Sequence, residues 1–170
     1  MKKMIYVLLL LIFGVATYYI YPEAKLPKGK IIDRIEVLKS QRKMLVYSEG
    51  ELLKTYTISL GKNPIGHKEF EGDFKTPEGI YEINAKNPNS GYHKNLGVSY
   101  PNEKDIAHSK SLGKPTGGDI KIHGIRNGAG SISKFQRWKD WTAGCIAVTN
   151  EEMDELYESV KIGATIEIKK

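Results

Sequence analysis

The sequence predicts a mainly β single domain with one clear late helix, preceded by an N-terminal helix long enough to cross a membrane. Three observations predict it. From residue 31 onward, short apolar runs alternate with polar residues at period two, the pattern of strands buried on one face. Thr149-Asn150-Glu151-Glu152 has the spacing of a capping box, and Met153, Leu156, Tyr157 and Val160 follow at helical intervals. The opening run from Met4 to Tyr21 is apolar and carries no charge.

That opening run follows Lys2 and Lys3 and ends at Pro22. Eighteen helical residues reach about 27 Å, enough for a hydrocarbon core. Tyr18, Tyr19 and Tyr21 fall where an interfacial aromatic belt belongs, and the leading lysines favour a cytoplasmic amino terminus. A cleaved signal peptide is the rival reading, but bulky tyrosines occupy the place where a small-residue cleavage site is expected. The expected organisation is therefore a signal-anchor at 1–22, a polar linker at 23–30 and a domain at 31–170. The domain would then lie outside the cytoplasm, anchored by a single pass or released after cleavage.

Residues 31–61 read as three antiparallel strands with turns near Ser40–Arg42 and Ser48–Gly50. Residues 61–81 are a loop dense in glycine and proline, and Ile80 to Ile83 is another short strand. Residues 84–118 read as a long irregular stretch, with a short helix expected from Asp105 to Leu112. Strand patterns return at IKIHG and CIAV, separated by a connection at 127–140 that should flank a pocket. The late helix is expected to end near Gly163, before a last strand from Thr165 to Ile168.

Composition narrows the function classes. The formal charge of +6 becomes +4 when the two lysines Lys2 and Lys3 are set aside, and no arginine-rich patch with interleaved aromatics argues for nucleic acid. The chain has one cysteine, so no disulfide forms within it, and an odd thiol in an exported chain is a candidate nucleophile.

That cysteine, Cys145, and His123 each adjoin a glycine, in Gly144-Cys145 and His123-Gly124. By strand alternation Ile120 and Ile122 share one face while Lys121 and His123 take the other; Ile146 and Val148 likewise oppose Cys145 and Ala147. With the aliphatics in a core, both reactive side chains face away from it. Histidine is suited to take a thiol proton and return it to a leaving amine. Backbone N–H groups around Gly144 and Cys145 are candidates to hold an oxyanion. An inert buried cysteine is the competing reading. A metal site is disfavoured, since no CxxC, HxH or HExxH spacing occurs. Arg126, Arg137, Trp138 and Trp141 offer contacts to a carboxylated peptide, and Tyr92, His93 and Tyr100 offer a groove lining; packing is the alternative for each.

The segment IHG…DWTAGCIAVTNEEMDEL closely resembles the active-site segment of the YkuD-type L,D-transpeptidase catalytic domain, particularly its YafK-like branch. The family pattern of His-Gly followed by Ser/Thr-x-Gly-Cys falls on His123-Gly124 and Thr142-Ala143-Gly144-Cys145. A second hallmark, SLG-x-x-P-x-G-x-K…GD-x-x-TPEG-x-Y, matches Ser59 to Tyr81, and LGVSYPNEKD resembles a pre-catalytic segment. The resemblance spans roughly 31–170 and implies a β-sandwich of the L,D-transpeptidase type, with Cys145 as nucleophile and His123 as base. It implies thioester chemistry on peptidoglycan stem peptides, no metal or organic cofactor, pocket roles for Thr142, Gly124 and Gly144, and a structural or rim position for His67. The third catalytic element would be a backbone carbonyl. The chain departs from many members in carrying Ala147 two residues after the cysteine, where they have Arg, and Ala143 in place of His. Those departures leave open hydrolysis of wall peptides or protein–wall linkages, and a non-catalytic wall-binding role.

Overall fold

The computed structural model describes residues 2–170. Helix α1 (Lys2–Ile20) opens on two lysines, carries no charge from Met4 onward and buries none of its residues. It is long and apolar enough to cross a membrane, a test that a signal sequence also passes.

Strands β1 (Ile32–Leu38), β2 (Lys43–Ser48) and β3 (Glu51–Thr57) form the expected antiparallel meander. The β2–β3 turn is made at Glu49 and Gly50, with φ of 51° and 86°. Two positive φ values in a two-residue loop match the twist of the flanking strands, and Gly50 adopts its value without steric cost. Strand β4 (Gly79–Ser90) is 12 residues long, and β5 (His93–Val98), β6 (Lys121–His123), β7 (Ile146–Ala147) and β8 (Val160–Lys169) complete the set.

All eight strands are hydrogen-bonded in the order β3-β2-β1-β8-β4-β5-β6-β7. The arrangement is thus one mixed sheet with helices, where the sequence suggested a mainly β sandwich. Strand β4 makes it continuous: its start pairs with β8 and its remainder with β5. Two neighbouring pairs, β1 with β8 and β6 with β7, run parallel.

The core lies between this sheet and helix α3 (Asn150–Ser159). Ile35, Val46, Ile83, Leu96, Ile122 and Ile166 are fully buried from the sheet, and Met153 and Leu156 from α3. Each such side chain contributes about 1.5–3 kcal/mol relative to an exposed one. Both halves of the predicted capping box form, with Thr149 accepting from the Glu152 amide and Glu152 accepting from the Thr149 amide.

Two segments differ from the sequence reading. The stretch at 84–118 is not irregular; it holds most of β4, all of β5 and helix α2 (Glu103–Ser111). Its AKNPNS portion lacks β-branched residues and is largely exposed, so only pairing with β5 reveals it as strand. Helix α3 also stops at Ser159, earlier than Gly163. Val160, which has helical spacing, is instead the first residue of β8, at φ −74° and ψ 127°. Gly163, at φ 80°, sits where the β1–β8 register shifts. It accommodates an irregularity inside the strand and does not cap the helix.

Candidate active site

The parallel β6–β7 pair brings the two predicted reactive residues together. Its register aligns Ile122 with Ile146 and His123 with Ala147. Both isoleucines are fully buried, so Lys121, His123 and Cys145 turn to the opposite side. There they line one cleft of about 600 Å³, with Tyr92, Asn95 and Trp141 among its other walls.

The His123 ring is held on three sides. Its Nδ1 lies 2.7 Å from the Gly124 carbonyl oxygen. A carbonyl only accepts, so Nδ1 carries the proton, and in the neutral ring Nε2 keeps the lone pair a base needs. Tyr92 and Trp141 flank the ring at centroid distances of 4.8 and 5.5 Å. Trp141 is fixed in turn, its Nε1 donating to Gln136 Oε1 at 3.0 Å. Gly124 has no room for a side chain: a Cβ there would stand 2.7 Å from Asn150 Oδ1 and 2.9 Å from His93 Cβ.

Cys145 is half-buried, and its Sγ points to the Asp119 carbonyl oxygen at 3.6 Å. Burial pushes its thiol above the ordinary value, opposed by the backbone N–H and the ammonium of Lys121. Burial also holds His123 below its ordinary value; the Gly124 carbonyl opposes this and the Lys121 charge adds to it. Both shifts favour the uncharged form of the side chain concerned.

The loop before the cysteine is tied by Thr142. Its Oγ1 donates to the Cys145 carbonyl at 2.7 Å and accepts from the Gly144 amide at 3.1 Å. The Gly144 N–H is thus committed inside the protein, which moves the candidate oxyanion donor to the Cys145 amide alone. Gly144 adopts φ 136°, and a Cβ there would lie 2.7 Å from the Lys75 carbonyl oxygen. Glycine is required at that position on both counts.

The Ser59–Lys62 segment buttresses this loop. Ser59 and Ala147 exchange backbone hydrogen bonds of 2.9 and 2.8 Å, Thr142 N donates to Leu60 O at 3.1 Å, and Lys62 N donates to Thr142 O at 3.1 Å. The following loop wraps around Asp73, which pairs with the buried Lys68 at 2.8 Å and accepts from the Glu69, Phe70 and Lys75 amides. The glycine- and proline-rich stretch is thus a scaffold for the cysteine loop.

The other predicted contacts divide. Tyr92 and Trp141 line the cleft. His93 turns away, its Nε2 lying 2.7 Å from Asp154 on α3. Arg126 is exposed outside the cleft lining. Arg137 is buried, with one guanidinium nitrogen on Glu23 and another on Glu152, both at 2.8 Å. It therefore joins the linker to α3 through its two terminal nitrogens, while its Nε is buried without a partner and out of a ligand's reach. Trp138 is 65% exposed, away from the cleft. Tyr100 packs edge-on against Tyr81 and lines a neighbouring hollow of about 370 Å³ that shares Asn95 and Asp119 with the cleft.

The cations that do face the cleft are Lys62 and Lys121. Strand alternation had put Lys121 on the face of His123 without assigning it to the site, and Lys62 was not singled out. Among the described residues, no group of three or more His, Cys, Asp or Glu side chains is gathered closely enough to hold a metal.

Comparison with known proteins bears on the family and the fold. Residues 32–168 match the family model described as YkuD, the L,D-transpeptidase catalytic domain. The chain is 32% identical over 132 residues to "Putative L,D-transpeptidase YafK" of Escherichia coli strain K12, covering 74% of this chain and 46% of that protein. It superposes on the helical cell shape determining protein Pgp2 of Campylobacter jejuni with a TM-score of 0.62 at 26% identity, covering 91% of this chain and 53% of the other. Bd1075 of Bdellovibrio bacteriovorus gives a TM-score of 0.57 at 25% identity, over 84% and 49% of the two chains. An L,D-transpeptidase from Mycobacterium smegmatis shares the fold at a TM-score of 0.53 and 19% identity, over 80% and 58%. The chain spans about half the length of YafK and Pgp2. With most of its length matched by the family model, and with nearly a third of its aligned residues identical to YafK, the chain belongs to the YkuD family of L,D-transpeptidase catalytic domains.

Proposed function

We propose that this domain is a cysteine-dependent L,D-transpeptidase acting on peptidoglycan stem peptides. The observation that carries the reading is the Nδ1-protonated His123, held by the Gly124 carbonyl, in the same cleft as Cys145.

In this mechanism His123 Nε2 takes the thiol proton as Sγ attacks the donor carbonyl carbon. The oxyanion so formed is met by the Cys145 amide. Collapse of the intermediate breaks the C–N bond, and the imidazolium returns its proton to the departing amine. The resulting thioester is attacked by an acceptor amine, which loses its proton to His123 as the thiolate leaves. The Gly124 carbonyl holds the imidazolium in register during both transfers. Lys121 and Lys62 supply positive charge for the donor carboxylate, the task that Ala147 cannot perform.

Retention of α1 as an anchor belongs to the same proposal. Tyr19 Oη donates to the Ser131 carbonyl at 2.9 Å, and the ammonium of Lys134 donates to the Tyr18 and Tyr21 carbonyls. Cleavage would discard these contacts. The anchored enzyme would work on the wall from the outer face of the cytoplasmic membrane, in a cell-shape-determining role of the kind named for Pgp2.

The test incubates the full chain with disaccharide-tetrapeptide and an acceptor amine, beside Cys145→Ala. Mass spectrometry follows protein and products. A Cys145-dependent acyl adduct with amine-exchanged product is expected. An adduct that yields only trimmed peptide would replace transfer by hydrolysis, and absence of any adduct would leave a wall-binding protein.

A further inference from the structure

Residues 130–138 have features that the catalytic reading does not use. They form a short helical segment, kinked at Ser133 where φ is 44°, and they present apolar side chains outward. Ile132 is 46% exposed and Trp138 65% exposed. Between them Phe135 stacks on Tyr19 at 5.3 Å and meets Trp138 edge-on at 4.8 Å. The segment lies against the last turns of α1, and Tyr18 Oη donates to its Lys134 carbonyl at 3.3 Å.

Its depth follows from what it touches. Ser131 and Phe135 line an apolar hollow of about 570 Å³ whose other walls are Leu11, Ile12, Val15, Ala16, Tyr19 and Ile20 of α1. At 1.5 Å per residue, Leu11 lies about 13 Å below the Ile20 end of the helix. The hollow therefore runs downward along a helix whose every described side chain is unburied. If α1 spans a bilayer, the segment beside Ala16 to Ile20 reaches from the helix end to about 6 Å below it. Interfacial elements bury their apolar faces about 5–10 Å deep, at the boundary between headgroups and acyl chains. Tryptophan and tyrosine concentrate at that level, with an apolar ring inside and a polar atom in the wet layer.

We infer that residues 130–138 are a membrane foot. Ile132, Phe135 and Trp138 seat in the outer interfacial layer beside α1, and phospholipid acyl chains fill the hollow between foot and helix. The inference rests on the reading of α1 as a retained membrane-spanning helix. It gives the membrane a defined connection to the cleft. Gln136, within the foot, accepts from Trp141 Nε1 at 3.0 Å, and its backbone carbonyl accepts from Ser59 Oγ at 2.8 Å. Trp141 is the side chain packed edge-on against His123. Seating of the foot thus sets the orientation of the cleft relative to the bilayer.

The test uses the full chain in phosphatidylcholine–phosphatidylglycerol vesicles, with the lipid brominated either near the top of the acyl chain or near its end. The chain has two tryptophans, so Trp141→Phe leaves Trp138 as the reporter. The expected result is at least about twofold quenching of Trp138 by the shallow bromines, consistent with an interfacial depth, and a weaker effect of the deep ones. In the otherwise unaltered chain, the shallow-quenched component should vanish in Trp138→Phe, which guards against misfolding of the first variant. Flotation is measured in parallel. A chain that floats with the vesicles but shows no bromine quenching of Trp138 would overturn the foot while leaving the anchor standing. A chain that does not float would overturn both.

Discussion

His67 in the scaffold loop and His123 at the end of β6 each have Nδ1 bonded to the backbone. They differ in what the second nitrogen meets. In His67, Nδ1 accepts from the Glu78 amide at 3.0 Å and Nε2 faces Asp105 Oδ1 at 3.1 Å, so both valences are used. In His123 the roles reverse: Nδ1 donates to a carbonyl, and Nε2 makes no hydrogen bond among the described residues. The surrounding charges follow the same division. Lys68 and Asp73 in the scaffold loop are a buried pair, 4% and 3% exposed, with the carboxylate saturated by backbone amides. Lys121 in the cleft is paired only with Asp119, which is 88% exposed and 3.3 Å away. The scaffold region closes its polar groups on one another, and the cleft leaves capacity for a ligand.

The sharpest break of this comparison is the exchange of each histidine for glutamine. His123→Gln should lower kcat for acyl transfer by about 10²–10⁴ with the fold intact, the range associated with loss of a general acid–base group. His67→Gln should leave kcat within about twofold and cost about 1 kcal/mol of stability, the typical net worth of a hydrogen bond. Stopped acyl-adduct kinetics and urea denaturation of the same samples read both. A large kcat loss in His67→Gln would sink the division.

Among the lysines, Lys68→Met should destabilise by about 1.5–3 kcal/mol, because it removes the charged partner of a buried carboxylate that keeps its three backbone amides. Lys121→Met should change stability by less than about 0.5 kcal/mol, since it lies beside an exposed partner. Its effect belongs in binding: about a tenfold rise in KM for a donor bearing a free carboxylate, and little change for the amidated donor. Equal KM shifts for the two donors would remove Lys121 from carboxylate recognition.

The pH profile gives a smaller and more diagnostic signal. Burial holds His123 below about 6.5, its unperturbed value, and Lys121 adds to that depression. Catalysis needs the neutral ring, so kcat/KM should be full above that value and fall only as pH drops through a midpoint below about 6.5. In Lys121→Met the midpoint should move upward, since the cation opposing protonation is gone. The same substitution should move the alkaline midpoint for Cys145 alkylation upward, because Lys121 favours the thiolate. An acid limb that stays put in Lys121→Met would place the titrating group elsewhere.

Much of this was legible in the chain. The capping box at Thr149, the meander at 31–57 and the facing of Cys145 and His123 are local properties, fixed by residue spacing and side-chain direction. The motifs also carried the family, which the comparisons bear out. Local pattern failed where partners lie far apart in sequence. Arg137 looked like a free cation near the pocket, but Glu23, distant in the chain, and Glu152 occupy it. Residues 84–90 looked like loop because their strand character comes from β5.

The sequence by itself singled out Cys145 and His123, the glycine beside each, the late helix and the apolar N-terminal segment, because each is set by chemistry within a few residues. Tertiary structure decided which nitrogen of His123 carries the proton, which amide remains for an oxyanion, and which cations face the cleft. Those answers depend on hydrogen bonds, burial and long-range pairing, where a donor is available only if no other part of the folded chain has already claimed it.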